Sequence, residues 1–210
     1  KLAPGKSHLP FLPFPADAKV YSEGQLYSPF APRQRGDGLA EAHTHADGIV
    51  GDFSIGATKS GIEVHPDCRY LAVFEAKLYS PLAGGISHAP GYDQVSRTVG
   101  CVINSLLRSG CPGPYAAHVV VLHPADHSNV NPGRYSSAYL ERQIAARVEG
   151  FGLPPTANFA RSWRATLDAV KLWFVTWEEV LAEIGSDQLD QFYQQCRRFN
   201  RRTPASAADA

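Results

Sequence analysis

The sequence predicts an α/β protein of the α+β kind, a single mixed sheet with helices on both faces. Strand-like and helix-like periods follow one another in the order strand, strand, helix, strand, helix, strand, helix. The stretch YLAVFEAKLYS, residues 70–80, is largely apolar on both parities, as in a central strand covered on each side. A chain of 210 residues, 44% hydrophobic and 19% charged, suits one domain with decoration.

Residues 1–36 hold Pro4, Pro10, Pro13, Pro15, Pro29 and Pro32, which rule out a long helix; they are expected to form an irregular segment wrapping the surface with its aromatic rings turned inward, with room for one more element. Residues 37–202 form the expected domain. Strand-like runs at 42–55 and 69–79 flank the turn-rich linker GATKSGIEVHPDC and form an antiparallel pair. Pro90 and Gly91 break the chain. Val95, Val99, Val102 or Ile103, and Leu106 then recur at helical spacing through about residue 109. AAHVVVLHP, 116–124, is a short buried strand by its length and β-branching. SSAYLERQIAARVEGFG is a helix with Leu140, Ile144 and Val148 on one face. KLWFVTW is the last strand, and Thr176 followed by Glu179 is a capping box that opens a helix. After Gly185, the residues Leu189, Phe192, Tyr193, Cys196 and Phe199 mark a final amphipathic helix ending in Arg197, Arg198, Arg201 and Arg202. The tail 203–210, TPASAADA, is expected to be disordered.

Composition narrows the function. No apolar run approaches the roughly 20 residues that span a bilayer, and the N-terminus lacks the apolar stretch of a signal peptide, so no membrane partner and a cytoplasmic location are expected. The four cysteines make no C-x-x-C pair and read as reduced structural thiols. Lys plus Arg and Asp plus Glu each number 20, so any contact with nucleic acid must rest on local basic patches.

Within the central strand, Glu75 and Lys77 lie two positions apart and emerge on one face, in line with Leu71 and Val73. Charges are almost never buried there unless they are paired or hold a metal. On the preceding strand, EAHTHADGIVGDFSI, the residues Glu41, His43, His45 and Asp47 share one parity, and Gly48 follows at once. A glycine there permits a bend that aims Asp47 at the neighbouring strand. Asp47 and Glu75 then converge. Two carboxylates, with a phosphate and waters, make an oxygen site for Mg²⁺. Lys77 would orient the attacking water or stabilise charge on phosphoryl oxygens. If the bend falls elsewhere, Asp52 takes the place of Asp47 as ligand.

The segments ADGIV and FEAKL, followed by a helix opening with YDQVSR, resemble the PD-(D/E)XK, or restriction-endonuclease-like, nuclease superfamily. Glu75, Ala76 and Lys77 match its E-x-K element; the acidic half is present as Ala46-Asp47 in place of Pro-Asp. The resemblance covers roughly residues 40–125. It implies a mixed-sheet nuclease core and hydrolysis of DNA phosphodiester bonds with Mg²⁺, or Mn²⁺ in its place. Asp47, Glu75 and Lys77 are its catalytic residues. It also implies a supporting glutamine on the following helix, Gln94, and a further acidic metal ligand upstream, Glu41. Arg97, one turn beyond Gln94, either pairs with Asp93 on the helix surface or contacts phosphate. Arg197 and Arg198 are further phosphate candidates, as are Arg33 and Arg35. The implied partner is DNA, with room for a homodimer.

Two rival readings stand beside this one. His43 and His45 place two imidazoles on one strand face, the arrangement of a zinc or iron hydrolase, with His118, His123, Asp126 and His127 to complete it. The chain is short for a hydrolase barrel of about 250 residues, and that reading leaves Glu75 and Lys77 unexplained. The other is a catalytically silent DNA-binding or scaffold protein that keeps the fold without turnover.

Overall fold

A computed structural model gives the structure of residues 8–41, 44–56, 61–85, 89–111 and 116–202, with Arg202 described by its backbone alone. The strands are β1 (Lys19–Leu26), β2 (Thr44–Gly51), β3 (Phe53–Ile55), β4 (Ile62–Val64), β5 (Tyr70–Ala76), β6 (Ala116–His123) and β7 (Val170–Thr176). The helices are α1 (Gln94–Ser109), α2 (Ser137–Phe151), α3 (Asn158–Leu167), α4 (Trp177–Ile184) and α5 (Asp187–Arg202), with a short 3₁₀ turn at Pro132–Arg134. Five strands make one mixed sheet in the order β1-β2-β5-β6-β7, and β3 pairs with β4 in a small second sheet. The first three strands of the large sheet run antiparallel; β5, β6 and β7 run parallel, with α1 crossing between β5 and β6.

β5 lies at the centre because its side chains are apolar in both directions. Leu71 and Val73 point to one face, where they pack with Val119 and Val121 of β6, Val95, Val99 and Ile103 of α1, Ile144 of α2 and Trp163 of α3. The other face is closed by Leu9 and Phe11 from the N-terminal segment, over Val120, Leu122 and Val175, with Trp177 and Val180 of α4 packed alongside. Helices thus lie on both faces, and burial of the apolar sides drives the assembly.

Local signals set the helix ends. Asp93 caps α1, its carboxylate accepting the Ser96 amide at 3.0 Å, and Gly110 closes it at φ 68°, a left-handed conformation open to glycine. Thr176 and Glu179 form the full capping box at the start of α4: the Thr176 hydroxyl accepts the Glu179 amide, and the Glu179 carboxylate accepts the Thr176 amide.

Three features fall outside the expected order. β4 lies in the linker read as turns and pairs with β3, which is split from β2 at Asp52 within the run 42–55. β1 lies inside the segment expected to be irregular; it is an edge strand, mostly exposed and held by backbone pairing to β2, so it shows little apolar alternation. α3 was not anticipated, although Phe159, Trp163 and Leu167 follow one another at intervals of one turn and are all buried. The tail 203–210 lies outside the described residues. All four cysteines are unpaired. Among the described residues, no helix is long and apolar enough to cross a membrane.

Candidate active site

The antiparallel pairing of β2 with β5 runs from Gly51↔Leu71 to Gly48↔Phe74 and stops there. The next residue of β2 is Asp47, and the same register carries it to a place opposite Glu75. Here a side chain replaces the ladder: Oδ2 of Asp47 accepts the backbone amide of Ala76 at 2.6 Å. Along β2 the buried face changes phase at this point, since Ala46 and Ile49 both enter the core on the α1 side. Gly48 has no left-handed φ, and a Cβ added to it would come no closer than 3.6 Å to Phe74 Cβ, so the space does not demand glycine. The irregularity lies across the pair in β1, where Glu23 has φ 55°.

Glu75 is buried on the α1 side of β5. Its Oε1 receives two contacts: the Lys77 ammonium lies 2.7 Å away, and Gln94 Nε2 donates at 2.5 Å. Gln94 sits in the first turn of α1 and is itself fixed, its Oε1 accepting the Ala83 amide at 3.0 Å and its own amide donating to the Ala83 carbonyl. Lys77 is held by its backbone, whose amide donates to Leu122 and whose carbonyl accepts the Trp177 indole. Burial raises the pKa of Glu75; the hydrogen bond and charge of Lys77 oppose that rise, Asp47 adds to it, and Arg97 opposes it. Asp47, Glu75, Lys77 and Gln94 are therefore brought together.

The donor set suits Mg²⁺. Glu75 Oε2 and Asp47 Oδ1 carry no hydrogen bond among the described residues, and Mg²⁺ is commonly held by one or two carboxylates plus waters and substrate phosphate. A closed zinc cage is a poor fit, because among the described residues no three His, Cys, Asp or Glu side chains gather as ligands. His43 lies outside the described residues, and His45 points to solvent. His118 takes the Trp173 indole, His123 meets the Pro124 carbonyl, and His127 meets the Ser80 carbonyl.

Other expected site residues are placed elsewhere. Asp52 lies at the opposite end of the β2–β5 ladder, accepting the amides of Arg69 and Tyr70, so Asp47 is the acid beside Glu75. Glu41 is buried with both oxygens engaged, Oε1 by Arg147 Nε at 2.7 Å and Oε2 by the Ser28 hydroxyl at 2.9 Å. It forms a structural ion pair and is not available as the upstream ligand. Arg197 is held by Asp126 and Glu178, whereas Arg198 is exposed. Arg33 grips Asp37 and the Phe151 carbonyl, and Arg35 is exposed. Asp93 pairs with Arg134 and Tyr139, and no bond joins it to the Arg97 side chain. The Arg147 partnership had one signal in the sequence: a charge three residues after Ile144, on the apolar stripe of α2.

Comparison with family models, with curated proteins and with solved structures finds no match.

Proposed function

We propose that the protein is a magnesium-dependent nuclease with a restriction-endonuclease-like core, hydrolysing phosphodiester bonds in DNA. The observation that carries this reading is the meeting of Asp47 and Glu75 at the point where β2 and β5 part, with Lys77 bound to Glu75. Its support from the fold is an antiparallel β1–β2–β5 unit linked through α1 to parallel β6, with the acids at the end of the β2–β5 ladder.

Asp47 and Glu75 would hold the ion. Bound there, Mg²⁺ or Mn²⁺ supplies Lewis-acid polarisation of the phosphoryl group and a water of lowered pKa. The chain's own residues do the rest. Lys77 favours the ionised form of Glu75 and presents a cation to the charge that builds on the phosphoryl oxygens. Gln94 fixes the Glu75 carboxylate through Oε1 and leaves Oε2 without a hydrogen bond among the described residues.

Incubation of the protein with plasmid and linear DNA in Mg²⁺ or Mn²⁺ tests the proposal. Cleavage is expected from the parent protein, with a loss of about 10²–10³-fold in Lys77→Ala and near-complete loss in Glu75→Gln. Cleavage by both variants at the parental rate would overturn it. Binding of DNA with no turnover by the parent would favour the silent scaffold instead.

A further inference from the structure

α1 brings a second cation to this site. Arg97 follows Gln94 by three residues, on the same side of the helix. Its Nε is fully buried and has no hydrogen-bond partner among the described residues. A buried guanidinium N–H without an acceptor is rare, since such donors are almost always satisfied. The carboxylate nearest in sequence does not serve it, because Asp93 is engaged by Ser96, Tyr139 and Arg134. Glu75 feels the Arg97 charge, but it is bonded to Lys77 and Gln94.

We infer that Arg97 is an anion-binding residue whose half-exposed guanidinium receives a non-bridging oxygen of a nucleic-acid phosphate beside the Asp47–Glu75 site, the buried Nε remaining behind it. The guanidinium plane offers parallel N–H donors that match a phosphate, a geometry that ammonium lacks. The choice of a nucleic-acid phosphate as the anion rests on the nuclease reading.

The experiment measures binding of a fluorescein-labelled DNA oligonucleotide by anisotropy in EDTA, across a range of salt, for the parent, Arg97→Gln and Arg97→Lys. The expected result is about a tenfold weaker affinity in Arg97→Gln and a salt slope shallower by about one phosphate contact. Arg97→Lys, which keeps charge and loses the fork, should recover only part of the affinity. Equal affinity and slope in parent and Arg97→Gln, both with parental melting curves, overturn the inference, as does a parent that binds no oligonucleotide. Should Arg97→Gln fail to fold, Arg97→Lys is judged alone, and parental affinity there overturns the inference. Cleavage in Mg²⁺ separates the two claims. A parent that binds through Arg97 but does not cleave refutes the nuclease and leaves the phosphate site; a parent that cleaves, with Arg97→Gln unaltered in binding, does the reverse.

Discussion

Gln94 Nε2 donates to Glu75 Oε1 at 2.5 Å, tying the first turn of α1 to the central strand. Its own oxygen holds the Ala83 amide, so one side chain fixes both an acid and the segment that follows β5. Gln94→Ala should therefore leave the fold intact and lower metal affinity or cleavage by about 10–100-fold, the usual cost of losing a group that orients a ligand. Isothermal titration with Mg²⁺ and a cleavage assay check this. Unchanged values in both would mean that Glu75 is oriented without Gln94.

Glu75 sets the pH dependence. Burial raises its pKa in the folded protein, so its ionised form costs stability at neutral pH, and that cost disappears as pH falls through the raised value. Glu75→Gln removes that cost but leaves the Lys77 ammonium without its partner, a fixed penalty, so the melting temperature of the metal-free variant relative to the parent should rise between pH 4 and pH 7. The same shift implies that Mg²⁺ affinity falls away on the acid side at a pH above the ordinary glutamate value of about 4.3. Melting curves and metal titrations from pH 4 to 8 give both readouts; a variant strongly destabilised at pH 7 and unaltered at pH 4 would contradict the sign.

Glu41 and Arg147 form a buried pair joining the segment before β2 to α2, and Arg147 also donates to the Leu39 carbonyl. Breaking such a pair on one side leaves a buried charge uncompensated, at a cost of about 3–5 kcal/mol. Glu41→Gln and Arg147→Met should each lower the melting temperature by roughly 6–20 °C. Residual molecules of Glu41→Gln that stay folded should bind Mg²⁺ as the parent does, which distinguishes a structural acid from a metal ligand.

Gly48 offers a quieter test. With ordinary φ and space for a methyl group, Gly48→Ala is expected to keep or slightly raise stability, by up to about 1 kcal/mol, and to preserve cleavage. A large loss on thermal denaturation would show that the divergence of β2 from β5 needs glycine after all.

The central strand carrying Glu75, the α1 stripe and the Thr176–Glu179 box were legible because each is a short-range pattern, although the strand ends at Ala76, one residue before Lys77 and short of the expected residue 79. Period two, period 3.6 and a cap three residues from its partner are set by backbone geometry within a few residues. β1 was legible only as room for one more element in the N-terminal segment, since its side chains are mostly exposed and its pairing uses backbone groups that every sequence has. The bend at Asp47 was anticipated from Gly48; that the phase change on β2 faces a left-handed Glu23 on β1 was not.

By itself, the sequence determined which residues alternate, which stretches coil and which charges share a strand face. Only the tertiary structure decided that Asp47 and not Asp52 lies beside Glu75, that Glu41 serves Arg147 across 106 residues of chain, and that Arg97 is left with an unanswered N–H. The physical reason is range. Local periodicity fixes the direction of a side chain relative to its own backbone, whereas its partner depends on register and packing between segments distant in sequence, where a carboxylate takes whichever donor the fold brings within hydrogen-bonding distance.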